Sequence, residues 1–147
     1  MRTFIERLNA SQQQPAYGQL TLPFQLRQKS RQKTQLDSGE TVALMLPRGF
    51  VLRDGDYLRA ENGEVVSIQA ALEQVNTAAT DDAMLLAKAC YHLGNRHVPL
   101  QIGAGWVRYE NDAVLSDMVQ GLGLSILREA APFEPESGAY GGAGHQH

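Results

Sequence analysis

Four histidines are the residues of this 147-residue chain best suited to hold a transition metal: His92 and His97 near its middle, His145 and His147 at its end. Cys90 is the only cysteine, so an intramolecular disulfide and a paired-cysteine metal or redox site are both excluded. Neutral imidazole is a good ligand for late divalent metals. His97 follows Gly94-Asn95-Arg96 and precedes Val98-Pro99-Leu100, just past an expected helix stop, where a ring can point away from the domain body. One imidazole cannot hold a divalent ion tightly. A two-fold dimer would present the same histidine twice near its axis. A plainer reading stands beside this one: a histidine at a helix end facing the last carbonyls.

His92 lies five residues earlier, in the last helical turn, where the helix dipole favours a histidine with no metal present. It is a candidate for a secondary or transit ligand. His145 and His147 flank Gln146 after a glycine-rich stretch. In an extended chain, residues two apart project to one side. A short histidine tract is a compositional signal for metal, although two histidines make a short tract indeed. A mobile tail carrying them could reach a metal on a dimer axis.

Catalytic constellations are missing. The chain has no GxxxxGK[ST] phosphate loop, no GxSxG elbow and no HExxH helix. Cys90 has His92 two residues along, but reads as a small core residue. Asp81, Asp82, Asp112 and Asp117 read as helix caps and solvated faces. Arg27, Lys29, Arg31 and Lys33 form a basic patch, read as a solvated strand edge or a contact for an acidic partner. A small metal-dependent hydrolase would need an acid or base beside an open metal position, and no carboxylate is placed beside His97.

The net charge of −3 and pI of about 5.8 leave no basic field for nucleic acid. Glu6 and Arg7 interrupt the apolar run that a secretory signal needs. No stretch approaches the roughly 20 apolar residues of a spanning helix. The expected setting is cytoplasmic, with no membrane contact.

The elements that must position the histidines divide the chain. Residues 1–70 read as a small β-sandwich or barrel. Strands are expected at Thr3 to Leu8, Gln19 to Leu26, Thr41 to Leu46, Tyr57 to Ala60 and Val65 to Ala70, with turns at Asp37-Ser38-Gly39, Arg53-Asp54-Gly55-Asp56 and Asn62-Gly63. Residues 71–131 read as β-α-β-β-α-β. A strand over Ala71 to Ala78 leads into a helix capped by Thr80, with Asp81 and Asp82 in its first turn and Gly94 as its stop. Strands at Val98 to Ile102 and Trp106 to Tyr109 follow. A helix capped by Asp112 and a last strand over Leu124 to Glu129 complete the order. This is the split β-α-β, ferredoxin-like arrangement. Residues 132–147, rich in glycine and proline, read as a flexible tail. The fold class is therefore α+β.

The run Tyr91-His92-Leu93-Gly94-Asn95-Arg96-His97-Val98-Pro99-Leu100-Gln101-Ile102 closely resembles the signature of the UreE family of urease accessory proteins. Thr80-Asp81-Asp82, Arg108-Tyr109-Glu110 and Asp117-Met118-Val119-Gln120-Gly121-Leu122-Gly123 also match. So do Leu22-Pro23-Phe24, Arg27-Gln28-Lys29-Ser30-Arg31, Leu46-Pro47-Arg48-Gly49 and Leu52-Arg53-Asp54-Gly55-Asp56 in the first part. The resemblance covers nearly the whole chain in order.

It implies a nickel metallochaperone with a β-rich domain often compared with peptide-binding modules, followed by a ferredoxin-like metal-binding domain. It implies a homodimer paired through the second domain, with His97 of each chain on one Ni(II). His145 and His147 would add ligands from the tail, and Zn(II) would bind at the same site. Delivery would pass through the urease accessory GTPase to the urease maturation complex. Some members carry histidines just after the Arg-Tyr-Glu motif. Here those positions are Asn111, Asp112 and Ala113, so no peripheral site is expected there. The rival reading is a protein- or peptide-binding adaptor, with metal incidental, carried by the first domain and its basic strand.

Overall fold

The computed structural model describes residues Met1–Ser137. Two compact units account for Met1–Ala71 and Leu72–Glu136.

The first unit carries one mixed sheet of six strands: β1 (Arg2–Arg7), β2 (Gly18–Leu22), β3 (Arg31–Gln35), β4 (Thr41–Met45), β5 (Tyr57–Ala60) and β6 (Val65–Ala70). Their order is β2-β6-β5-β1-β4-β3. β1 with β4 and β2 with β6 are parallel, the other pairs antiparallel. Alternation decides which face is wet. In β4, Val42 and Leu44 are buried while Thr41 and Met45 are exposed. The inward set, including Phe4, Leu20, Leu44, Leu58 and Ile68, makes a continuous apolar core. The sheet curls on itself, because the Asp37 N–H just past β3 donates to the Gln19 carbonyl of β2 at 2.8 Å. The β5–β6 turn needs positive φ at Gly63 (+89°), which an Asn-Gly pair supplies.

One expected strand is shorter than its alternation suggested. β2 stops at Leu22, and Phe24–Arg27 form a single helical turn, α1, behind Pro23. Proline has no N–H for a ladder and presets the φ of a turn. This removes Arg27 from the exposed basic patch. Its side chain is buried, 1% exposed, with Nε donating to the Leu22 carbonyl and Nη1 to the Leu52 carbonyl, each at 3.0 Å.

The second unit runs β7 (Leu72–Ala79), α2 (Ala83–Asn95), β8 (Gln101–Gly103), β9 (Trp106–Glu110), α3 (Ala113–Leu122) and β10 (Ser125–Pro132). The sheet order is β10-β7-β9-β8, every pair antiparallel. Both helices pack on the sheet face that carries Ala78, Val107 and Tyr109. α3 is also tied to the sheet by polar contacts: Asn76 Nδ2 donates to Ser116 Oγ at 2.9 Å, and the Tyr109 hydroxyl lies 3.0 Å from the same oxygen.

Two boundaries differ from expectation. β8 begins at Gln101 rather than Val98, since Pro99 cannot join a ladder and Val98 and Leu100 instead pack against the core. The tail also does not begin at residue 132. β10 pairs as far as Pro132 with Leu72, Phe133 is buried, and the Glu136 N–H donates to the Leu100 carbonyl. His145 and His147 lie outside the described residues.

Gly103 opens the tight β8–β9 connection. A Cβ there would fall 2.1 Å from the Trp106 ring. Gly103→Ala is therefore expected to displace that ring and lower stability by about 1–3 kcal/mol, measurable by urea unfolding. A midpoint equal to the parent's would show that the ring moves freely.

Candidate metal centre

α2 forms because its apolar residues recur on one face. Leu85, Leu86, Ala89, Cys90 and Leu93 face the core, while Met84 and Tyr91 on the other side are 63% and 66% exposed. The helix is capped by Asp82, not Thr80: Asp82 Oδ1 accepts from the N–H groups of Met84 and Leu85 at 2.9 and 3.3 Å. The Thr80 hydroxyl oxygen instead accepts from the Asp82 N–H, a turn that presents the aspartate to the helix end. Asp82→Ala should lower stability by about 1 kcal/mol, read as a shift in thermal midpoint. An unmoved midpoint would transfer the cap elsewhere.

The other end of α2 holds the candidate ligand. The helix does not stop at Gly94 but continues to Asn95, with Arg96 as its C-cap. The left-handed position that glycine commonly fills falls on His97, at φ +59°; among the described residues no other non-glycine has positive φ. The His97 N–H donates to the Gly94 carbonyl at 3.0 Å and the Arg96 N–H to the Leu93 carbonyl at 3.1 Å. These bonds close the helix and turn the chain sharply. Val98 and Leu100 then anchor it to the core. His97 thus sits exposed on a short strap pinned at both ends.

His92 is half-buried one turn back. The edge of one ring meets the face of the other between it and Tyr91, with centroids 5.3 Å apart. Arg96 Nη1 donates to the His92 carbonyl at 3.3 Å. Burial pushes the Cys90 thiol above its ordinary pKa, which favours the protonated form and makes it a poor ligand. Among the described residues, no group of three or more His, Cys, Asp or Glu side chains is placed to hold a metal ion. What one described chain offers is therefore a single presented imidazole with a second histidine behind it. The left-handed turn and the Arg96 and Tyr91 contacts around His92 were not anticipated from the sequence. The glycine three residues early drew the helix stop away from His97.

The comparisons with known proteins agree in both halves. The family model described as the N-terminal domain of the UreE urease accessory protein matches residues 4–71, and the one described as its C-terminal domain matches residues 73–147. A urease accessory protein UreE of Alkalilimnicola ehrlichii is 59% identical over 142 residues, covering 97% of this chain and 86% of the relative. Proteins of the same name are 58% identical in Vibrio parahaemolyticus, over 82% of this chain and 80% of the relative, and 55% identical in Proteus mirabilis, over 84% and 77%.

Proposed function

Because the chain belongs to the UreE urease accessory protein family, we propose that it serves urease maturation in the cytoplasm as a homodimeric nickel chaperone. Ni(II) is its cargo, with Zn(II) as a competing ion. His97 from each protomer grips the metal at the two-fold axis. His145 and His147 close the shell, and His92 serves in transit. The urease accessory GTPase and the urease maturation complex receive the ion. We read the second unit, the metal-binding one, as ferredoxin-like, a reading supported by its strand order.

The observation that carries this reading is the backbone of His97. Holding a non-glycine residue left-handed costs about 1–2 kcal/mol, and such strain clusters at functional sites. Here it presents an exposed imidazole from a pinned strap. The two-fold arrangement is supported by the small ligand set among the described residues of one chain and by the exposed Met84 and Tyr91 on α2, apolar surface that a partner would cover. Ligand imidazoles must be neutral, so acid should weaken binding.

Nickel titration calorimetry with particle mass recorded in parallel tests the proposal. One ion per two chains, at twice the 16.1 kDa chain mass, is the expected result. One ion per monomeric chain, or no binding step, would overturn it. Removing residues 144–147 should weaken nickel binding while leaving the dimer mass unchanged. Unaltered affinity after that truncation removes the tail histidines from the site.

A further inference from the structure

β10 ends at Pro132 on one edge of the second sheet, and β8 forms the other edge. With four strands, those edges stand about 14 Å apart. Residues 132–136 cross that width. Every second residue of the crossing is held. The Pro132 carbonyl accepts from Arg108 Nη1 at 3.2 Å, the Glu134 N–H donates to Gln101 Oε1 at 2.9 Å, and the Glu136 N–H donates to the Leu100 carbonyl at 2.6 Å. Phe133 is fully buried among these bonds. The steps from Pro132 to Glu136 span about 13–14 Å of extended chain, so the crossing has no slack.

The far end of the crossing is the His97 strap. The ladder between β8 and β9 begins at Gln101, so Leu100 lies outside it. Val98 and Leu100 pack by their side chains, and apolar packing is non-directional. The Glu136 N–H is a directional hold on the strap's backbone, and Glu134 fixes the next residue, Gln101. At the other end, the Arg96 and His97 N–H groups bond back into α2. A left-handed residue persists only where its surroundings over-determine it. His97, at φ +59°, is held from both sides, and the crossing supplies the second hold.

We propose that residues 132–136 are a clasp that positions His97 for its cargo, with Gln101 and the backbone of Glu136 as positioning groups and no ligand among them. This rests on the nickel reading of His97. When the clasp opens, the Leu100 backbone gains freedom. His97 then relaxes toward an ordinary φ, and its ring leaves the direction in which the strap presents it. Groups that orient a ligand without touching the metal commonly set affinity by about 10–100-fold.

Glu136→Pro removes the N–H that holds Leu100, and Glu136→Ala keeps it. Gln101→Ala removes the acceptor for Glu134. Nickel titration calorimetry compares the full chain with these variants, with Glu136→Pro/Gln101→Ala and with His97→Ala. Amide exchange is followed by NMR without metal. Glu136→Pro and Gln101→Ala should each bind nickel about 10-fold more weakly, and Glu136→Ala should match the parent. The double variant should be little weaker than either single one, because groups acting as one unit are not additive. The His97 amide should exchange faster in the proline variant while those of β7 and β9 keep the parent's protection, which shows the unit folded. Parent-like nickel affinity in the proline variant would overturn the clasp. Equal loss in the alanine variant would also overturn it, by making the Glu136 carboxylate the active group. Both outcomes leave the nickel reading standing. Nickel affinity unchanged in His97→Ala would overturn that reading and the clasp with it.

Discussion

Replacing His97 by glycine is expected to abolish tight nickel binding and, in the same molecule, to make the metal-free chain more stable. The two effects have separate causes. The first is loss of the ligand. Removing a group that merely supports a ligand typically lowers metal affinity 10–100-fold, so losing the ligand itself from both protomers should weaken binding by about 100-fold or more. The second is relief of backbone strain at φ +59°. A left-handed L-residue costs about 1–2 kcal/mol, and glycine returns about 0.5–1 kcal/mol of that through its freedom in the unfolded chain. The net gain is between about 0 and 1.5 kcal/mol.

His97→Ala separates the two effects, since it removes the imidazole and keeps a Cβ in the strained position. It should lose nickel as the glycine variant does, without the gain in stability. Calorimetry and denaturant unfolding of both variants decide the matter. Nickel binding equal to the parent's would remove His97 from the site. A glycine variant less stable than the parent would mean that the ring packs against its surroundings and that strain is not what the fold bears there.

Arg27→Met is expected to be the most damaging single change in the first unit. The guanidinium occupies the interior between the end of β2 and the segment before the Arg53 turn, and it lies over the Phe24 ring at 5.8 Å. It satisfies the carbonyls of Leu22 and Leu52, while the Leu52 N–H returns a bond to the Arg27 carbonyl at 2.9 Å. Methionine fills much of the same volume and donates nothing. The Leu52 carbonyl would then lack its partner, while the Leu22 carbonyl would keep only the Ala71 N–H at 3.0 Å, so the unfolding free energy should fall by about 1–3 kcal/mol. Hydrogen exchange should localise the loss: amides of β2 and β6 become less protected, and those of β7 and β10 do not. A loss below about 1 kcal/mol would show that water replaces the guanidinium at both carbonyls.

Much of this protein was legible in its residue order. The alternation of β4, the Asn-Gly turn at Gly63 and the helical spacing of Leu85, Leu86, Ala89 and Leu93 are local patterns. Local patterns suffice because each element must bury its own apolar face. The order β-α-β-β-α-β of the second unit follows from them, and the run around His97 carried the family. What failed turned on particular hydrogen bonds that apolar spacing does not reveal. Thr80 and Asp82 are both competent caps, and the hydrogen bond from the Asp82 N–H to Thr80 decided between them. Arg27 looked like its exposed neighbours Lys29 and Arg31, because an arginine is rarely buried; the carbonyls of Leu22 and Leu52, the second 25 residues away, make its burial tolerable. Phe133 and Glu136 looked like the start of a loose tail until Leu100 offered its carbonyl to the Glu136 N–H.

His97 shows the division most clearly. Its residue type, and its place between a helix and a proline, made it the candidate ligand from sequence alone. Its left-handed backbone came from the fold. Val98 and Leu100 must reach the core while α2 is already packed on the sheet, and a single residue between them has to absorb the turn. The sequence by itself determined which side chain stands as the candidate for metal. Only the tertiary structure decided that it would be held rigid and exposed, because that geometry results from packing forces acting on both sides of the strap and on no part of it alone.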